Sequence, residues 1–311
     1  MSLFSPKPFK PAWWAFNGHV HTVVSSFSKV NTVQFERIEI DTSDNDFLEI
    51  DLIDLKKDQP VVALFHGLEG SSERFYIRSL MHDLQSSGYS SVALNFRGCG
   101  SRLNEQRRFY HSGETSDYAT FFNWIKSRFP ENLIYAVGFS LGGNALIKSL
   151  GEEAGSHPVT RAVAVSPPYD LKAGSLNLEH GFNKVYAYRF LKTLAEKLER
   201  KRIKYPDLPA FNGDTLYEFD DRVTAPIHGF DGADHYYETC SSKQFLADVQ
   251  TPLLLIHSKE DTLCPLQFAP FEMIEKNPFI TRVFTEKGGH VGFISSPRNW
   301  INETILHWLQ S

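Results

Sequence analysis

Apolar and polar residues take turns over 33–40 and again over 47–53, with the turn-forming stretch 41–46 between them. This period of two predicts an antiparallel hairpin. Beyond residue 60 the pattern changes: 61–65, 91–96, 133–137, 162–165, 253–257 and 281–284 are short, unbroken apolar runs, as expected of strands covered on both faces. Most are separated by segments whose apolar residues recur at helical spacing, namely 72–86, 114–128, 141–152, 266–275 and 297–309. Strand then helix, repeated, implies right-handed crossovers. The expected fold class is therefore α/β, a mostly parallel central sheet of about six strands with helices on both faces, preceded by the hairpin.

One interval breaks the rhythm. More than 80 residues separate the runs 162–165 and 253–257, far more than a connection needs, and a stretch of that length carries structure of its own. Its first part, 183–204, places Tyr186, Phe190, Leu194 and Leu198 at steps of four and predicts a helix, whereas 205–237 is rich in Pro, Gly, Asp and aromatic residues. The expected organisation is a core of residues 1–171 and 251–311 interrupted by a largely helical cap at 172–250.

Composition narrows the class. Lys and Arg number 32 against 37 Asp and Glu, a net charge of −5, which disfavours nucleic acid as a partner. The apolar runs are far shorter than the roughly 20 residues a membrane-spanning helix needs. Residues 1–11 hold Pro6, Pro8 and Pro11 and no apolar segment, so no signal peptide is expected and a cytoplasmic location is. Cys99, Cys240 and Cys264 are too few and too far apart for a disulfide framework or a C-x-x-C metal site. There is no P-loop and no G-x-G-x-x-G after a strand, so no nucleotide cofactor is expected. His19 and His21 are two apart, which on a strand would put both on one face; with no third ligand nearby, no metal is expected. The unusual feature is 25 Phe, 12 Tyr and 5 Trp, which implies a heavy core or a greasy pocket.

The candidate chemistry lies at strand ends. Gly138-Phe139-Ser140-Leu141-Gly142 follows the run 133–137 and opens a helical segment, the strand-turn-helix context of a nucleophile elbow. A serine at so sharp a turn is lifted clear of the sheet and stands at a helix amino terminus, whose amides favour negative charge. It needs a base, and the base needs an orienting carboxylate. Asp261 follows the run 253–257 and His290 follows 281–284 within Gly288-Gly289-His290-Val291-Gly292, so three strand ends converge on one site. Glu260 competes with Asp261, which is preferred because a short side chain suits a fixed hydrogen bond to imidazole. His66-Gly67-Leu68 ends the strand 61–65, and the backbone amides of Leu68 and Leu141 are the expected oxyanion donors.

These residues resemble the YheT-like branch of the α/β-hydrolase superfamily, whose eukaryotic relatives are membrane-anchored lipid hydrolases. The likeness runs through Asn17-Gly18-His19, His66-Gly67-Leu68, Gly70-Ser71-Ser72, Asn95-Phe96-Arg97-Gly98, residues 111–114 and 138–144, Gly229-Phe230, Tyr236-Tyr237 and Gly289-His290-Val291-Gly292-Phe293. It implies the α/β-hydrolase fold, a Ser140, Asp261, His290 triad, a cap over the pocket and hydrolysis of carboxylic esters without a cofactor. The eukaryotic anchor has no counterpart in this sequence. The partner expected is a small-molecule ester or lipid, with a medium or long acyl chain favoured by the aromatic supply. Acyl transfer or thioester cleavage by the same triad, and a non-catalytic ligand-binding role, are the alternatives.

Three further features carry expectations. Arg97 is expected in a buried structural ion pair rather than on a substrate, and Cys99 and Cys264 as packing residues. Lys192, Lys197, Arg200, Lys201, Arg202 and Lys204 outnumber Glu196 and Glu199 in the cap helix. A solvated face is expected there, with transient contact to an anionic membrane surface as the sharper reading.

Overall fold

The alternation in the sequence becomes an eight-stranded sheet in the computed structural model, which describes residues 4–28, 33–55 and 58–311. The strands are β1 (Glu36–Asp41), β2 (Phe47–Ile53), β3 (Val61–Phe65), β4 (Ser90–Asn95), β5 (Ile134–Phe139), β6 (Val159–Val165), β7 (Leu253–Ser258) and β8 (Ile280–Thr285). Their order is β1-β2-β4-β3-β5-β6-β7-β8, antiparallel from β1 to β4 and parallel from there on. The start of the chain expected to carry no signal peptide includes residues 1–3, which lie outside the described residues.

The unbroken apolar runs split by parity onto the two faces. Val61, Ala63 and Phe65 pack with Phe121, Phe122 and Ile125 of α3 (Ser116–Arg128) and Ala145 and Leu146 of α4 (Leu141–Glu153). Val62 and Leu64 pack with Ile77, Leu80 and Leu84 of α2 (Phe75–Ser86) and Ile305 and Trp308 of α11 (Trp300–Gln310). A strand buried on both sides needs apolar residues at every position, hence the loss of period two.

Helix starts differ from the expected ones where side chains capture the backbone. Ser72 is buried and its amide donates to Asn95 Oδ1 at 2.9 Å, which holds 72–74 outside α2. The continuous helix expected over 266–275 is two pieces, a 3₁₀ turn at Leu266–Phe268 and α10 (Phe271–Lys276), because Pro270 has no amide to continue the first.

The regular structure between β6 and β7 is helical: α5 (Leu171–Asn177), α6 (Asn183–Arg202), α7 (Leu216–Phe219), a π-helical turn (Asp220–Thr224), α8 (Ala225–His228) and α9 (Ala233–Cys240), with an irregular stretch over 203–215. It has a small apolar core of its own, including Leu191, Leu198, Leu208, Phe219 and Val223. Among the described residues no helix is long and apolar enough to cross a membrane.

The basic stretch of α6 and the turn after it is the solvated face expected except at two positions. Lys192, Arg200 and Lys204 are exposed, but Lys197 and Lys201 turn inward, one helical turn apart, onto the core. Lys201 Nζ donates to Asn104 Oδ1 and Arg108 O, both at 2.7 Å, and burial pulls its pKa down to about 7. Lys204 and Arg202 meet Glu105 and Glu199.

Candidate active site

Ser140 sits between β5 and α4 at φ 54°, ψ −122°, a conformation that L residues adopt only under constraint. The constraint is packing. A Cβ on Gly142 would lie 2.5 Å from His66 O, so the helix can approach β3 this closely only with glycine there. The Ser140 amide donates to Val165 O at 2.8 Å, which ties the elbow to the next strand.

The structure brings the three predicted side chains into one line. Ser140 Oγ lies 2.8 Å from His290 Nε2, and His290 Nδ1 lies 2.9 Å from Asp261 Oδ2. Glu260, the competitor, points away and pairs with Lys287 Nζ at 2.5 Å. Asp261 is held by three donors, His290 and the Leu263 and Cys264 amides on Oδ1 at 3.0 and 2.9 Å, while His257 Nε2 lies 3.4 Å from Oδ2 and bonds Cys264 O at 2.7 Å. Burial pushes the Asp261 carboxyl up, but His290 and His257 outweigh it and hold the group ionised, well below the usual carboxylate range. Burial also opposes a charged His290; the Asp261 carboxylate beside it more than reverses that and raises its proton affinity.

The loop expected to supply one oxyanion donor lies against the serine: a Cβ on Gly67 would lie 3.0 Å from Ser140 Cβ. Among the described residues, neither the Leu68 nor the Leu141 amide donates a hydrogen bond. Leu68, Leu141, Ser140 and His290 all line one cavity of about 120 Å³ beneath the helical insertion. Its other walls are mostly apolar, with Leu171, Leu178, Phe190, Leu194, Leu216 and Leu263 among them.

The supporting roles of several residues escaped the sequence reading. His66 is fully buried; its Nδ1–H donates to Gly67 O at 2.7 Å and its Nε2 accepts from the Phe96 amide at 3.1 Å. Burial lowers its pKa to about 3, so it stays neutral and acts as a strut inside the loop. Tyr76 Oη accepts from the Gly67 amide at 3.0 Å. Asn144 bonds Ser112 O, Cys240 O and the Ser242 amide, pinning the end of α9 to α4. A histidine at a strand end and an asparagine after the elbow were visible signals; the partners were not.

His19 and His21 lie on a helix, α1 (Gly18–Ser25), not a strand, so their side chains diverge by about 200°. His21 Nδ1 accepts from the Ile294 amide at 3.0 Å, and among the described residues no metal-binding cluster occurs. The helix instead braces the histidine loop. Thr22 Oγ1 accepts from the His290 amide at 2.9 Å, and a Cβ on Gly289 would lie 2.4 Å from Gly18 O. Arg97 is fully buried in an ion-pair network with Asp46, Asp117 and Asp44, as expected. Cys99 has a charged neighbour, Lys197 Nζ at 3.2 Å, yet burial pushes its thiol up to about 11.

Residues 60–297 match the family model described as the alpha/beta hydrolase fold. YheT of Escherichia coli (strain K12), provisionally named an esterase, is 35% identical over 98% of this chain and 94% of its own. The human protein named Phospholipase ABHD3 is 28% identical over 92% of this chain and 73% of its own. A solved structure of the Pyrococcus furiosus esterase Pf2001 is 22% identical, covers 98% of this chain and 100% of that one, and superposes with a TM-score of 0.59, a likeness of fold. The eight-stranded sheet, the family match over most of the chain and the near full-length identity to YheT show that the chain belongs to the α/β-hydrolase fold family, in its YheT-like branch.

Proposed function

We propose that this enzyme hydrolyses carboxylic esters through an acyl-enzyme on Ser140, with residues 172–250 as the cap that shapes its pocket. The observation that carries the reading is the hydrogen-bonded line from Ser140 Oγ through His290 to Asp261, at the floor of an apolar cavity. In this mechanism His290 takes the proton from Ser140 as the hydroxyl attacks the ester carbonyl, and Asp261 fixes the imidazole tautomer and stabilises its cation. The Leu68 and Leu141 amides receive the oxyanion; each such donor is worth about 3 kcal/mol of transition-state stabilisation. His290 gives its proton to the departing alcohol, then activates the water that releases the acid.

The walls support a medium or long acyl chain. Of the aromatics the sequence assigns to the insertion, Phe190, Tyr236 and Tyr237 reach the cavity and leucines supply most of the remaining surface. The test is Ser140→Ala, expected to abolish both hydrolysis of a p-nitrophenyl acyl ester and labelling by a fluorophosphonate probe. Activity surviving that substitution would remove the serine mechanism, and an exclusive preference for acetyl esters would remove the acyl-chain reading.

A further inference from the structure

The insertion brings into the cavity one ionisable group that the mechanism above leaves idle. Asp220 opens the π-helical turn, a conformation that recurs at functional sites, and its side chain lines the same cavity as Ser140 and His290. Thr224 Oγ1 donates to Asp220 Oδ1 at 2.7 Å, and Tyr237 Oη donates to Oδ2 at 2.6 Å. Behind the phenol stands Ser175 Oγ, 3.1 Å from the same oxygen. Because the single phenolic proton goes to Asp220, the serine keeps its own proton for the phenol or for a ligand.

The unpaired charge is what asks for an explanation. Most buried carboxylates in this protein meet cations: Asp46 and Asp117 meet Arg97, Asp51 meets Arg37, Glu69 meets Lys197 and Glu114 meets Arg108, whereas Glu49 is held by Ser101 and lines no part of this cavity. Among the described residues no Lys, Arg or His pairs with Asp220. Two donors occupy two of its roughly four acceptor positions, which leaves the others to the cavity. Burial raises its pKa to about 6 against the pull of Tyr237 and Thr224. Near neutrality such a group can accept a hydrogen bond or give one.

We infer that Asp220, Tyr237 and Ser175 form a subsite for a free hydroxyl group of the substrate, carried on its alcohol or on its acyl chain. A hydroxyl donates to the carboxylate and accepts from the serine, so it satisfies the corner in either protonation state of Asp220. An anionic group would face an unpaired carboxylate and is disfavoured. An ammonium group would want an open aromatic face, but the Tyr236 and Tyr237 rings pack on each other with centroids 5.1 Å apart. The subsite rests on the ester-hydrolase reading above.

The experiment compares kcat/KM for four octanoyl esters: 1-octanoylglycerol, methyl octanoate, methyl ω-hydroxyoctanoate and octanoylcholine. The enzymes are the wild type, Asp220→Leu and Asp220→Asn, with fluorophosphonate labelling of Ser140 as the check that each variant keeps an assembled site. A hydrogen bond to a charged acceptor predicts a wild-type preference of roughly 10- to 100-fold for a hydroxylated ester over methyl octanoate. Glycerol ester preferred places the hydroxyl on the alcohol side, and ω-hydroxy ester preferred places it on the acyl side. Asp220→Leu is expected to erase the preference, and Asp220→Asn, which keeps an acceptor oxygen, to retain part of it. Equal rates on all uncharged esters, or a preference that survives Asp220→Leu, would overturn the subsite while leaving ester hydrolysis intact. A preference for octanoylcholine lost in both variants would replace the hydroxyl with a cation. Failure of the wild type to cleave any of the four would overturn both readings.

Discussion

Lys197→Met should separate the contribution of the insertion to stability from its contribution to catalysis. Lys197 reaches from α6 to Glu69, Nζ to Oε1 at 2.8 Å, with 16% and 4% of the two side chains exposed. Burial lowers the proton affinity of the lysine, but Cys99 and Glu69 beside it raise it by more, so it stays charged. Glu69 directly follows Leu68 and occupies the left-handed region at φ 51°, a strained position for a residue with a side chain. Removing one partner of a buried pair costs about 3–5 kcal/mol. Tyr110 Oη still donates to Glu69 Oε1 at 2.8 Å, and the lysine is not fully enclosed, which brings the expected loss to about 2–3 kcal/mol. At roughly 2–4 °C per kcal/mol for a chain this large, the melting temperature should fall by about 4–12 °C. In a double-mutant cycle with Glu69→Gln, the combined loss should be smaller than the sum by about 1–3 kcal/mol. Relaxation of the strained turn also moves the Leu68 amide. Removing an oxyanion donor outright costs about 10²–10³ in kcat, so a displaced one should cost about tenfold, in kcat and not in KM. Additive melting losses across the cycle, or a fall in kcat/KM arising wholly through KM, would refute this coupling.

Three other predictions concern the line of three side chains and the elbow. Asp261→Asn should lower kcat by about 10⁴-fold, because the imidazole loses its tautomer and its counter-charge, whereas Glu260→Gln should stay within a few-fold of wild type. In the wild type, activity should rise with pH as His290 loses its proton; since the Asp261 charge is what raises that pKa, the acid limb of kcat/KM should move to lower pH in Asp261→Asn, and an unmoved limb would contradict the assignment. Gly142→Ala should prevent accumulation of folded protein, since its Cβ would sit 2.5 Å from His66 O and 2.8 Å from Phe65 O, backbone atoms that cannot yield; a variant with wild-type melting and activity would show that the elbow has room.

What the sequence determined by itself was local or nearly so. Unbroken apolar runs and helical spacing are consequences of where a segment is buried, and they marked all eight strands to within a few residues, together with the order that puts Ser140, Asp261 and His290 after β5, β7 and β8. The sharp turn at Ser140 was legible because steric demand at a tight turn is met by glycine at fixed spacing. Tertiary structure decided which neighbour each polar side chain found. Nothing in the spacing of residues 19 and 21 says helix or strand, and nothing near Thr22 says that its hydroxyl would accept from the His290 amide, 268 positions away. The charges of α6 looked like a solvated face because composition counts charge without direction; only packing turned Lys197 and Lys201 inward, one turn apart. Asp220 was equally unreadable among the acidic residues of the insertion. Its meaning lies in the missing cation and the cavity beside it, and both are properties of the space that distant segments enclose together.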